Sequence, residues 1–227
     1  NTIREPDPLP GTVGNGKKKT ILSVSRLVPR KNVGTTLAAF SRLAAEFPDW
    51  SLEIVGDGPE RKKLVRQAAS LGIGNRVDFR REMSDPYPAY ANADVFVIPS
   101  FFEGFPMTVC EAMAHGLPVV GFGTCNGVKV QVIPGETGAL ADGVDPAASL
   151  AAALRPILKD AEMRERMGKA SNFSNQVIFR AWEDLFLEAV SVGYKPVSLT
   201  QDQILSYRLA EMVGGQPDIT LPTRKSY

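Results

Sequence analysis

The stretch DVFVIPSFFEGFPMTVCEAMAHGLPVVGF, residues 94–122, contains the elements on which the fold prediction rests. DVFVIPS and LPVVGF are short and apolar throughout, which is typical of strands buried on both faces. MTVCEAMAHG, between them, has the length and composition of a helix and ends in a glycine. A strand, a helix and a strand in this order indicate two parallel strands joined by a helical crossover.

The same alternation extends toward the N-terminus. TILSVS, SLEIVG and RVDFR read as further apolar strands, and DPYPAYANA as a short helical or irregular piece. VGTTLAAFSRLAAEF and PERKKLVRQAASLG have helical spacing, and the second has Pro59 at its start and Gly72 past its end. The sequence therefore predicts an α/β fold, a parallel sheet with helices on both faces.

Three regions are expected along the chain. Residues 1–18 are rich in Pro and Gly and read as a linker or N-terminal extension, residues 19–192 as a ligand-binding domain, and residues 193–227 as a helical tail. After GETGAL no further strand is predicted, and the helices expected are DPAASLAAALRPIL, AEMRERMGKAS, NQVIFRAWEDLFLEAV and QDQILSYRLAEM. Because the first residue is Asn rather than Met, we expect a processed chain or a fragment of a longer one.

Composition narrows the class of function. The chain has 26 Lys and Arg against 25 Asp and Glu, so no net charge favours nucleic acid or a membrane surface. No apolar run approaches the ~20 residues that span a bilayer, and the N-terminus lacks the apolar segment of a signal peptide. Cys110 and Cys125 are expected to be reduced core thiols, and one His without a Cys/His cluster argues against a metal. We expect a cytoplasmic location.

Two loops that follow strands carry candidate ligand-binding residues, because ligands of parallel sheets bind beyond the carboxyl ends of the strands. In SRLVPRKN, Arg26 and Lys31 precede a helix N-terminus and suit a diphosphate, although both are equally compatible with plain surface charges. In GDGP, Gly56 allows close backbone approach, or simply a tight turn. The glycine spacing does not match a dinucleotide-binding fingerprint.

Glu103 and Glu111 lie in otherwise apolar surroundings, which is costly unless a partner is present. Glu103 precedes the helix whose first turn, at Met107 and Thr108, has free backbone N–H groups. Carboxylates bind sugar and ribose hydroxyls well. The alternative is that Glu103 caps the helix and Glu111 is solvated. We expect the two carboxylates not to pair with each other and to be hydrated when the site is empty.

In combination, these motifs resemble a known family, the retaining GT-B glycosyltransferases of family 4. The resemblance covers the C-terminal, donor-binding domain, from about Lys19 to Val190. It rests on SRLVPRKN, IVGDGP, ANADVFVIPSFFEGFPMTVCEAMAHGLPVV and GETGAL in that order, with the E-x7-E pair as its most specific part. It implies a Rossmann-like domain that forms one half of a GT-B fold.

The resemblance also implies roles for individual residues. Arg26 and Lys31 would hold the donor diphosphate, Glu103 would contact the donor sugar, and Glu111 the ribose. Backbone groups near the sugar, the phosphates and the base would come from the remaining candidates, which are Gly104, Phe105, Pro106, Met107, Thr108, Gly56, Arg81 and Glu82. Arg26, Lys31 and Glu103 would be the catalytic set. Such enzymes keep the anomeric configuration, and the leaving phosphate helps to deprotonate the acceptor.

The expected donor is a nucleoside-diphosphate sugar of the UDP or GDP type, used without a metal, and the acceptor a saccharide or a lipid-linked saccharide. A GT-B enzyme also needs an N-terminal domain, which this sequence lacks, so a membrane contact is expected only through missing parts. The chain departs from the family in TCNGVKVQV. Asn126 replaces a usual glycine, and the usual glutamate falls on Val130 or Gln131. Ser25 replaces another glycine, and His115 is expected to be a helix-end residue.

Other functions remain open at this stage. The altered TCNGVKVQV loop favours a non-catalytic glycosyltransferase-like domain with an assembly or regulatory role, whereas the retained Arg26, Lys31, Glu103 and Glu111 oppose it. An epimerase or a phosphorylase of similar fold is a further alternative, although no lysine suggests the pyridoxal phosphate site of a phosphorylase.

Overall fold

The computed structural model describes residues 19–81 and 86–171. The strands are β1 (Lys19–Val24), β2 (Trp50–Val55), β3 (Val77–Arg80), β4 (Val95–Ile98), β5 (Val119–Phe122) and β6 (Gly138–Ala141). The helices are α1 (Val33–Leu43), α2 (Arg61–Ser70), α3 (Tyr87–Ala91), α4 (Met107–Ala114), α5 (Asn126–Lys129), α6 (Pro146–Lys159) and α7 (Ala161–Ala170). Two short 3-10 turns cover Pro29–Lys31 and Gly74–Arg76.

All six strands are parallel and form one sheet in the order β3-β2-β1-β4-β5-β6. This confirms the predicted α/β class with a Rossmann-like sheet. The strand order reverses between β1 and β4, and a crevice for ligands forms at such a point because the crossovers leave on opposite sides. The loops after these two strands are joined by a hydrogen bond from the Phe101 N–H to the Arg30 carbonyl at 3.1 Å.

The core lies between the sheet and the helices that cover it. Every residue of β4 and β5 is buried, as the uninterrupted apolar runs predict. The largest fully buried side chains are Trp50, Tyr90, Phe40 and Phe96. Helix α1 packs against α2 and α6, and α6 against β5 and β6. Together they fix the sheet whose loops carry the candidate site.

The structure differs from the sequence prediction at two short elements. Strand β6 lies in GETGALA, a segment to which no strand was assigned from the sequence. Its four residues have low strand propensity, and its place at the sheet edge comes from parallel pairing with β5. Gly138 permits this pairing, because a Cβ atom there would lie 1.9 Å from the Val119 carbonyl oxygen. Helix α5, a single turn at Asn126–Lys129, was not predicted either.

Arg76 joins the end of α1 to the start of β2. Its guanidinium donates to the carbonyls of Ala44, at 2.5 Å, and of Phe47, and to the Trp50 carbonyl at 3.0 Å through Nε. It also lies over the Phe40 ring, 5.1 Å from the centroid. One cation therefore connects the carbonyl at the end of α1 to carbonyls in the segment that leads into β2.

The helices expected at 175–190 and 201–212, and the domain limits at 18, 192 and 193, lie outside the described residues. Helices α6 and α7 confirm the two preceding predictions, and Asp145 and Asp160 cap their N-termini through side-chain oxygens. No helix in the described part of the chain combines the length and the apolar character that crossing a bilayer requires.

Candidate functional site

The loop after β1 places two cations beside the sheet crevice. Arg26 is exposed, while Lys31 is half-buried at the end of a 3-10 turn. The next residue, Asn32, has a left-handed backbone with φ of 52°, which Asn tolerates better than most side chains. Its side-chain oxygen accepts from the Thr35 hydroxyl at 2.7 Å. This turn leads from the loop after β1 into the first residue of α1.

Glu103, in the loop after β4, pairs with Lys31. The Lys31 Nζ to Glu103 Oε1 distance is 2.5 Å, and the two side chains are 18% and 13% exposed. This contact corrects the expectation that the carboxylate is hydrated in the empty site. It also rules out the helix-cap alternative, since Pro106 is the N-cap of α4 and no side chain caps that helix end. Lys31, the candidate for diphosphate binding, and Glu103, the candidate for sugar binding, therefore form one half-buried ion pair.

Glu111 is held by a different partner. Its Oε2 accepts a hydrogen bond from the Tyr90 hydroxyl at 2.8 Å, so this carboxylate is not merely solvated. Burial, together with the neighbouring Glu111 charge, raises the pKa of Tyr90 far above its usual range. The phenol therefore stays protonated and donates. As expected, the two glutamates do not pair with each other.

A cavity of about 220 Å³ at the carboxyl ends of β1 and β2 brings four predicted residues together. They are Arg26, Gly56, Thr108 and Glu111; the other lining residues are Val24, Ser25, Val55, Asp57 and Pro86. The Ser25 hydroxyl oxygen is buried and lacks a hydrogen-bond partner within the described ranges. A cation, a helix start and a carboxylate thus line one cavity, and most of its remaining wall is apolar.

The other predicted residues that the structure describes, Lys31 and Glu103 among them, do not line this cavity. Gly104 and Phe105 are exposed, Pro106 is buried, and Met107 packs on Cys110 and Ala114. Arg81 is exposed beyond the end of β3, and Glu82 lies outside the described residues. The roles assigned to all these residues stay predictions.

Gly56 lies where the backbones of two loops touch. Its φ is 145°, a region that only glycine adopts readily, and a Cβ atom there would lie 1.9 Å from the Ser25 carbonyl oxygen. The Gly56 N–H donates to the Arg80 carbonyl at 3.0 Å, which links the ends of β2 and β3. Gly56 was expected to allow close backbone approach or to form a tight turn. The structure shows close approach, and the approaching backbone is that of Ser25.

The TCNGVKVQV loop reaches the site through its backbone. The Gly127 N–H donates to the Glu103 carbonyl at 3.1 Å, and a Cβ atom at Gly127 would lie 2.4 Å from that oxygen. Val130 is 73% exposed, whereas Gln131 is buried and donates to the Cys110 sulfur at 2.9 Å. Neither of the two positions considered for the family glutamate offers a carboxylate here.

The two cysteines are free and buried, as expected for core thiols. Burial raises the pKa of Cys110 to about 11, so its thiol is protonated at neutral pH and unsuited to act as a nucleophile. His115 ends α4, also as expected, and its Nδ1 lies 2.7 Å from the Glu111 carbonyl oxygen. Among the described residues, no group of three or more His, Cys, Asp or Glu side chains is arranged to hold a metal.

Sequence reasoning missed Tyr90, Asp57 and Pro86 as neighbours of the site. Tyr90 lies in the segment predicted as a short helical or irregular piece, and no spacing rule places its hydroxyl on a carboxylate 21 residues away. Asp57 lies within the GDGP motif that was noted for its glycines, so only its position in the motif hinted at a role.

Comparison with solved structures supports the fold. The pneumococcal O-GlcNAc transferase GtfA, solved with UDP and GlcNAc, superposes with a TM-score of 0.67 at 22% identity, covering 83% of this chain and 38% of the other. The C-terminal domain of a glycosyl transferase group 1 protein, LpcC from Francisella tularensis, gives a TM-score of 0.61 at 21% identity, covering 69% of this chain and 83% of that domain.

Sequence comparison identifies the family. A mannosyltransferase of Mycolicibacterium smegmatis, GDP-mannose-dependent and acting on a phosphatidylinositol monomannoside, is 36% identical over 166 residues. The alignment covers 69% of this chain but 43% of that relative, so the chain spans less than half of its length. The family model for glycosyl transferases group 1 matches residues 11–172. Because this match covers most of the chain, the protein belongs to the glycosyl transferases group 1 family.

Proposed function

We propose that this chain is the donor-binding domain of a retaining glycosyltransferase of family 4. It would bind a nucleoside-diphosphate sugar, of the UDP or GDP type, for transfer to a saccharide or lipid-linked acceptor. The observation that carries the proposal is the cavity at the carboxyl ends of β1 and β2, which gathers Arg26, Gly56, Thr108 and Glu111. The Lys31–Glu103 pair, in the loops after β1 and β4, adds to it. The UDP and GlcNAc bound in the pneumococcal structure and the GDP-mannose dependence of the mycobacterial relative are consistent with it.

The diphosphate would lie between Arg26 and the start of α4. The first-turn N–H groups of Met107 and Thr108 face outward there, and the helix dipole favours an anion. Lys31 would exchange the Glu103 carboxylate for a phosphate, which frees Glu103 to accept from a sugar hydroxyl. Two cations on the leaving group stabilise the charge that develops as the bond from the anomeric carbon to the phosphate oxygen breaks.

The remaining contacts follow from position in the fold. Glu111 would accept from ribose hydroxyls, with Gly56 beneath the nucleotide, and the base would extend toward Arg81 and Glu82. Backbone groups of Gly104, Phe105 and Pro106 would face the sugar. The acceptor oxygen forms the new bond to the anomeric carbon, its proton passes to the departing phosphate, and the configuration is kept.

A second domain is part of this proposal. The chain spans less than half of the mycobacterial relative, and the related Francisella structure is described as a C-terminal domain. We propose that an N-terminal GT-B domain supplies most of the acceptor site, and any membrane contact, in a cytoplasmic enzyme that needs no metal. The domain limits 1–18, 19–192 and 193–227 are part of the same proposal.

Replacing Arg26 with Ala tests the diphosphate site. UDP, GDP and ADP are titrated into the 227-residue chain by calorimetry, and we expect wild type to bind at least one at submillimolar concentration. Arg26→Ala should weaken that binding about tenfold, because a charge-assisted hydrogen bond contributes roughly 1.5–3 kcal/mol. Arg66→Ala is the matched control, an exposed cation on α2 away from the cavity. Absence of binding, or equal effects of both substitutions, contradicts the proposal.

The loop at Val130 and Gln131 favours one alternative, a non-catalytic domain with an assembly or regulatory role. Without a carboxylate at either position, the loop lacks a group that catalytic relatives are expected to carry. Assaying a longer natural protein that contains this chain separates the two functions. Sugar transfer above donor hydrolysis supports the enzyme, whereas donor binding without either reaction supports the alternative.

A further inference from the structure

We propose that Tyr90 is a positioning residue that orients the Glu111 carboxylate toward the ribose of the bound nucleotide. This inference rests on the proposed function, which assigns the ribose to Glu111. The contact that motivates it is the hydrogen bond from the Tyr90 hydroxyl to Glu111 Oε2 at 2.8 Å. It joins α3 to α4 at the wall of the cavity that Glu111 lines.

The surroundings of Tyr90 hold its side chain in one position. Its side chain is 0% exposed, and its ring packs against Phe96 at a centroid distance of 5.7 Å. A second ring contact is a stacked arrangement with His115 at a centroid distance of 5.4 Å. A ring enclosed in this way occupies one rotamer, so the hydroxyl oxygen has one position.

Glu111, in contrast, has a flexible side chain on a helix that borders an open cavity. Holding Oε2 removes much of the rotational freedom of the carboxylate before a ligand arrives, and this lowers the entropic cost of binding. Within the described residues only Oε2 has a hydrogen-bond partner, so Oε1 remains available to ribose hydroxyls. Since the phenol donates to Oε2, the acceptor capacity of Oε1 is not used by this contact.

His115 supports the same arrangement from the far end of α4. Its Nδ1 lies 2.7 Å from the carbonyl oxygen of Glu111, one helical turn earlier, while its ring stacks on Tyr90. The backbone and the side chain of Glu111 are thus both tied to one aromatic pair. A residue needed only for packing at this position requires no hydroxyl, which makes the hydroxyl the feature to test.

The test compares affinities for a ribonucleotide and its 2′,3′-dideoxy form. Whichever of UDP, GDP and ADP binds wild type is titrated into the full chain beside its dideoxy counterpart. We expect wild type to favour the ribonucleotide about tenfold or more, since the lost hydrogen bonds are charge-assisted. Tyr90→Phe should reduce this ratio at least threefold. Glu111→Ala should abolish it, and the double variant should match Glu111→Ala alone, because the two residues act as one unit.

Phe40→Leu is the structural control, because it removes buried volume from α1 and leaves the Tyr90 hydroxyl and the ring contacts of Tyr90 in place. It should lower thermal stability and keep the ribose preference. If Glu111→Ala abolishes the preference but Tyr90→Phe retains it in full, Tyr90 is structural and this inference fails alone. If wild type binds none of the nucleotides, or if Glu111→Ala has no effect on the ribose preference, the proposed role of Glu111 is contradicted. The inference about Tyr90 is then contradicted as well, because it depends on that role.

Discussion

Gly56→Ala is expected to lower the free energy of unfolding by about 4 kcal/mol, the sum of a positive-φ penalty and steric overlap with backbone. The glycine has a φ of 145°, and the added Cβ would meet the Ser25 carbonyl oxygen at 1.9 Å. Backbone cannot rotate away as a side chain can, so the ends of β1 and β2 must separate. Urea denaturation of the purified chain, followed by far-ultraviolet circular dichroism, measures the loss.

Gly74→Ala provides the matched control for this substitution. Its Cβ would make only an ordinary contact, 3.5 Å from the Ala69 Cα. Its backbone also lies outside the left-handed region. We expect a change within about 0.5 kcal/mol, as for other substitutions away from special backbone positions. Equal midpoints for the two variants would show that Gly56 is an ordinary turn residue.

Arg76→Ala is expected to lower the free energy of unfolding by about 3 kcal/mol, because hydrogen bonds to charged groups contribute roughly 1.5–3 kcal/mol each and part of the loss is recovered by water. The substitution leaves the Ala44, Phe47 and Trp50 carbonyls without this partner and removes the cation over Phe40. Arg76→Lys should recover only a small part, since one ammonium cannot reproduce the planar set of donors.

The same urea titration measures the Arg76 variants, with Arg66→Ala as the control. Arg66 is an exposed cation on α2, so its loss should shift the free energy of unfolding by no more than about 0.5 kcal/mol. A matching loss for the two alanine variants would mean that the contacts of Arg76 contribute nothing beyond a surface charge.

The short apolar runs in the sequence were sufficient to predict most of the strands in the sheet. The run VFVI, for example, is apolar at every position and rich in β-branched residues, and only a sheet covered on both faces buries both sets of side chains. Strand β6 escaped prediction because Gly138–Ala141 has no such signal and pairs only because β5 lies alongside. The strand order was not predictable either, since periodicity describes single strands and not their neighbours.

The candidate site, too, was predictable from the sequence only in part. The resemblance of the motifs selected Arg26, Gly56, Thr108 and Glu111, and the fold gathers them around one cavity. Their chemical partners were not predictable. Lys31 and Glu103 are 72 residues apart, and they meet only because the sheet order makes the loops after β1 and β4 neighbours. We expected each carboxylate to be hydrated, because the sequence around a glutamate does not show which distant residue will donate to it. The donors are Lys31 for Glu103 and Tyr90 for Glu111.

The Lys31–Glu103 pair changes how substitutions at either residue must be interpreted. Electrically the two side chains form a single neutral unit, and removing one leaves the opposite charge half-buried without compensation. A substitution at one residue therefore has two effects: it removes a contact to the nucleotide sugar, and it leaves the charge of the other residue unpaired. Only a thermodynamic cycle that includes Lys31→Met, Glu103→Gln and the double variant separates recognition of phosphate from recognition of sugar.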